Sequence, residues 1–73
     1  MKPSMPGTYI GCEMRNRNCA GYELSGKFVD VDFTGTTLVE AKLTGTFVNC
    51  DFRACDLTNA DLKDARITNC IFP

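Results

Sequence analysis

The residues with most chemistry to offer in this 73-residue chain are its cysteines, at positions 12, 19, 50, 55 and 70. Thiolates bind zinc, exchange disulfides or attack electrophiles, and each of those jobs needs particular neighbours. No CxxC pair occurs and histidine is absent, so the spacing of a zinc site is missing. The cysteine count is odd, and the opening "MKPSMPG" lacks the apolar stretch of a secretory signal, which argues against a secreted disulfide framework. The role that fits is a small apolar side chain filling a tight interior slot, with the thiols reduced. A metal or redox protein is the third and most distant of three functional classes.

Other chemistry has still less support. No serine stands beside a plausible base, and the glycines do not form a phosphate loop ahead of a helix. The expectation is a non-enzyme with no cofactor and no metal. Lys and Arg nearly balance Asp and Glu, for a net charge of -1, so no nucleic-acid partner is expected. No run of about 18 apolar residues exists to span a membrane, and a cytoplasmic location is the default expectation for a chain not cut from a longer precursor.

What positions these residues is a beat of five. Phe52, Leu57, Leu62, Ile67 and Phe72 stand five apart. Five residues carry a helix round by about 140° and flip a strand to its other face, so neither element explains the pattern. A chain that turns a corner every five residues does, because each side then points one residue at a common axis. Backwards, the register runs through Phe47, Leu43, Leu38, Phe33, Phe28, Leu24, Cys19, Met14 and Tyr9. Two steps fall one short of five, Leu24 to Phe28 and Leu43 to Phe47, and exactly four steps of the register carry the first onto the second. In a four-sided coil those short corners stack on each other, and like falls on like. Phe28, Phe47 and Ile67 make one column, and Met14, Phe33, Phe52 and Phe72 a second. Cys19, Leu38 and Leu57 make the third, and Leu24, Leu43 and Leu62 the fourth. The expected fold is all-β, a quadrilateral parallel β-helix of about 3.5 coils spaced about 4.8 Å apart. The position two before each centre also points inward and is small in most repeats: Gly26, Val31, Thr36, Ala41, Gly45, Cys50, Cys55, Ala60, Ala65 and Cys70.

The segments "CDFRA", "CDLTN", "ADLKD" and "ARITN" resemble the pentapeptide-repeat family, closely over residues 26–73 and loosely over 7–25. The resemblance implies a right-handed coil. It also implies a structural or protein-interaction module, with self-association through the C-terminal end as a family habit. Some members mimic B-form DNA and inhibit type II topoisomerases, which is the alternative function. The expected layout is a tail over residues 1–6 and a β-helix over 7–73, with an irregular first coil at 7–25. There Arg17 and Tyr22 occupy inward slots too tight for them, and one of the two is expected to cover the N-terminal end of the core.

Two surfaces follow as expectations. Leu62, Ile67, Ile71 and Phe72 expose apolar groups and open strand edges on the last coil, which is where a homodimer is expected to form. Ile10, Val29 and Val48 stack outward into an apolar stripe, a candidate contact for an unidentified protein partner. The acids Asp32, Asp51, Asp56, Asp61 and Asp64 are interrupted by Lys27, Lys42, Arg53, Lys63 and Arg66, and are expected to be solvated faces.

Overall fold

The structure is a computed structural model that describes residues 3–73. Short strands alternate with corners: β1 (Thr8–Ile10), β2 (Glu23–Leu24), β3 (Lys27–Val29), β4 (Lys42–Leu43), β5 (Thr46–Val48) and β6 (Arg66–Thr68). All pairing is parallel, in the orders β1-β3-β5-β6 and β2-β4. The partners Tyr9, Phe28, Phe47 and Ile67 line up across the first sheet. Isolated bridges complete the other sides, through Glu13, Asp32, Asp51 and Ile71, through Asn18, Thr37 and Asp56, and through Ser4, Glu23, Lys42 and Asp61. Four columns of pairs make a four-sided coil.

The short corners explain the register. From Ser4–Glu23 to Lys42–Asp61, each pairing spans one residue fewer than four full repeats. Thr46–Arg66 and Asp51–Ile71 span four full repeats. The added residue lies at the corner where Leu62 leads to Ile67 by a full step of five. At the two short corners below it stand Gly26 and Gly45, whose amides donate to the carbonyls of Met5 and Leu24 one coil down. A β-carbon at Gly45 would overlap the Gly26 carbonyl oxygen, so the coils approach more closely at this corner than any side chain allows.

Most other corners turn on a residue two after the centre with positive φ. Asn16, Asp30, Asn49, Asn59 and Asn69 take that conformation, as do Gly11, Gly21 and Gly35. Glycine, Asn and Asp enter the left-handed region at the least steric cost. Glu40 and Ala54 enter it too, at φ 58 in each case, held there by the coils around them.

The core is built from the middle centres, with Val31, Ala41, Cys50 and Cys55 of the inward slots beside them. Phe28, Phe33, Phe47, Phe52, Leu24, Leu38 and Leu43 are fully buried. Their rings stack along the axis: Phe28 on Phe47 at 4.8 Å and 3°, Phe33 on Phe52 at 5.0 Å and 2°. The two columns meet edge-on, with Phe47 and Phe52 at 5.8 Å and 61°. The coil spacing of a parallel sheet thus doubles as the spacing of a ring stack.

The first coil is more regular than the sequence suggests. Ser4 pairs with Glu23 and the Met5 amide donates to the Glu23 carbonyl, so the ladder begins ahead of the expected start at Gly7. Of the two oversized residues, Tyr22 packs against the core, while Arg17 lies exposed. Residues 1 and 2 of the expected tail lie outside the described residues. Among the described residues no helix is long and apolar enough to cross a membrane.

Candidate interaction surfaces

The chemistry-bearing side chains are drawn into the framework. All five cysteines are free thiols. Cys50 and Cys55 are buried in inward slots, and their thiols donate to the carbonyls of Phe28 and Phe33 one coil below, at 3.4 and 2.9 Å. Cys70 reaches Phe47 O in the same way at 3.3 Å. Thr36 shows the rule with a hydroxyl: it donates to Met14 O and accepts from the Arg17 amide. At these four slots the small residue also carries a hydrogen-bond donor, whereas Gly26, Val31, Ala41, Gly45, Ala60 and Ala65 fill theirs without one. Size alone predicts the slots, but the donor was not foreseen from the sequence.

Burial pushes the Cys50 thiol up to about 11, and raises Cys19 and Cys55 as well. A thiol whose folded pKa is raised stabilises the fold below its unfolded value, 9.0, and that contribution is lost as pH climbs toward 11. Two pKa units correspond to roughly 3 kcal/mol at most. The melting temperature is therefore expected to fall between those limits by more in the wild type than in Cys50→Ala. At neutral pH, a thiol reagent should label the half-buried Cys12 and Cys70 first, and Cys19, Cys50 and Cys55 only on unfolding.

The acids are likewise structural. Each residue just before a centre can cap the amide just after it. Asp32 Oδ1 accepts from Thr34 N, Asp51 from Arg53 N, Asp56 from Thr58 N, Asp61 from Lys63 N and Asn18 from Ala20 N, at 2.9–3.2 Å. The Thr34 hydroxyl also donates to Asp32 and the Thr58 hydroxyl to Asp56, while the Arg53 guanidinium pairs with Asp51 at 2.7 Å. These bonds hold the carboxyls of Asp32, Asp51 and Asp56 below their ordinary range. Arg15 additionally meets Asp32 at 3.2 Å. Asp32 and Asp51 are thus matched by cations. The molecule measures 26 × 23 × 20 Å, shorter than one turn of DNA at about 34 Å. Both facts weigh against mimicry of a duplex.

The residues expected at surfaces lie as follows. Ile10, Val29 and Val48 are register partners on one outer face, continued by Thr68, with Ile10 66% exposed. On the last coil Leu62 and Ile67 are half-buried, while Ile71 and Phe72 are 50% and 39% exposed. Phe72 stacks one ring face on Phe52 at 5.1 Å. Ile71 continues the column of Glu13, Asp32 and Asp51, replacing a charge with an apolar group. At the other end, Met5, Met14, Cys19 and Tyr22 floor an open cavity of about 470 Å³ with Arg17 at its rim. Nothing in the sequence reading pointed to that cavity.

A four-sided parallel coil with ring-stacked columns and self-capped polar faces is a β-helical solenoid. The family model "Pentapeptide repeats (8 copies)" matches residues 46–72, which supports the resemblance carried by those repeats. No curated protein gives a match. The coil register continues below the matched segment to Ser4, through residues whose repeat pattern is looser.

Proposed function

We propose that the protein is a non-enzymatic structural and protein-interaction module that self-associates through the face of its last coil. The observation that supports this most is the pair Ile71 and Phe72, two of the three large hydrophobics exposed among the described residues. Below Ile71 stand the charged Glu13, Asp32 and Asp51, and below Phe72 the fully buried Phe33 and Phe52. Beside them the amides of Leu57, Leu62 and Phe72 have no backbone partner among the described residues, and an edge of that kind pairs readily. Two copies meeting face to face would cover the same patch on each, as a two-fold dimer does.

Sedimentation equilibrium tests the reading. The wild type is expected at twice the 8.0 kDa chain mass, and Ile71→Lys at the chain mass with its fold intact. Lysine suits the site, because it stands directly above Asp51. A wild type that stays monomeric at millimolar concentration rejects self-association. The stripe of Ile10, Val29 and Val48 is left for a second protein, so Val48→Asp should not change the mass. A dimer abolished by Val48→Asp and kept by Ile71→Lys would move the interface to the stripe.

A further inference from the structure

The cavity at the N-terminal end has the shape of a missing side. Along one edge runs the segment Arg17–Asn18–Cys19, the lowest rung of its column. Higher up that column each layer is held from below in one manner. The Thr37 amide donates to Arg17 O and the Cys19 amide to Thr37 O, both at 2.8 Å. Asp56 repeats the pattern, its amide donating to Thr36 O at 3.2 Å and its carbonyl accepting from Leu38 N at 2.8 Å. Asn18 stands one layer lower and presents the same amide and carbonyl downward. Among the described residues neither has a backbone partner. Inward from this edge lie Met5, Met14, Cys19 and Tyr22, an apolar floor where the next centre would sit. At the rim the exposed Arg17 makes no ion pair among the described residues.

We infer that this notch binds one extended peptide segment of a partner protein, added as a parallel strand beneath Asn18. The edge and the floor together set the chemistry of the occupant. Its backbone accepts from the Asn18 amide and donates to the Asn18 carbonyl, as Arg17 and Cys19 do for Thr37. The donating residue carries a large apolar side chain that turns inward onto Met14 and Tyr22. The residue before it faces outward beneath Asn18, one position from Arg17, and there a carboxylate complements the guanidinium. Strand addition of this kind takes affinity from the main chain and selectivity from alternate side chains. The site is separate from the last-coil face, so a dimer formed there leaves two notches open.

The probe is a fluorescent, end-blocked peptide, Ala-Ala-Asp-Leu-Thr-Asn-Ala, titrated by anisotropy and by amide NMR. Saturable binding is expected, with shifts confined to Met5, Met14, Asn16–Cys19 and Tyr22, and with hydrogen exchange at the Asn18 amide slowed by the peptide. N-methylation of the peptide leucine removes the donor to Asn18 O and should weaken binding about tenfold. Arg17→Ala should weaken it about threefold, and a peptide with Lys for Asp should lose the same factor. Equal affinity for the N-methylated peptide overturns strand addition. No binding to the folded protein, or shifts at the last coil, overturns the site. Protection of the Asn18 amide without peptide also overturns it: if protection rises with protein concentration the occupant is a second copy, and if it does not the chain fills its own notch.

Discussion

Gly45→Ala should be among the most damaging single substitutions in the molecule, costing about 3 kcal/mol or more, because overpacking a close-packed interior costs about 1–3 kcal/mol even where side chains can adjust. The added methyl overlaps the Gly26 carbonyl oxygen and lies 2.8 Å from the Ser25 carbonyl carbon and 3.0 Å from that of Gly26. All three are backbone atoms, so no rotamer relieves the contact. Relief requires lifting one coil off another, which breaks the bonds from Gly45 N to Leu24 O and from Thr46 N to Gly26 O. Gly21→Ala is the control, since nothing lies within 4 Å of a β-carbon there. It should cost only the left-handed conformation, about 1–2 kcal/mol. Urea titrations followed by circular dichroism compare the two, and equal losses would mean that the corner is not set by cross-coil contact.

Phe47→Ala should cost about 3–5 kcal/mol, the usual range for emptying a buried aromatic site. Phe47 is fully buried, stacked on Phe28, edge-on to Phe52 and tilted against Phe33. Ladder bonds hold the coils above and below, so they cannot collapse into the gap. A chain of this size has on the order of 4–10 kcal/mol of stability in all. The variant should therefore be largely unfolded near its former melting temperature. Phe72→Ala, which frees a ring already stacked on one face only, should cost about 1 kcal/mol. A small loss at Phe47 would contradict the ring stack as the source of cohesion.

The columns were legible in the sequence because they depend on spacing alone. Two short steps separated by four steps of the register admit four sides, and the pairing of Phe28 with Phe47 follows from that. What spacing cannot show is why each residue type recurs. Asp before the centre looked like a solvated face, yet Asp32, Asp51, Asp56 and Asp61 each cap an amide two residues on. Cys50 and Cys55 looked like small hydrophobes, yet their thiols satisfy carbonyls one coil below. Such bonds join atoms that come together only once the coil is closed. Left-handed Glu40 and Ala54 were invisible for a related reason, since neither type prefers that region and the surrounding coils impose it. The two ends divide the same way. Ile71 stood out as an apolar residue of the last coil, whereas the notch beneath Asn18 is formed by backbone groups whose pairing no residue type announces.

The stack itself is best tested by nuclear Overhauser contacts between α-protons and amides of paired strands. The account predicts cross-strand contacts of Tyr9 with Phe28, of Phe28 with Phe47, and of Phe47 with Ile67. Pairing of Phe28 with Leu43, as a three-sided coil would show, or of Phe47 with Arg66 in place of Ile67, would contradict it.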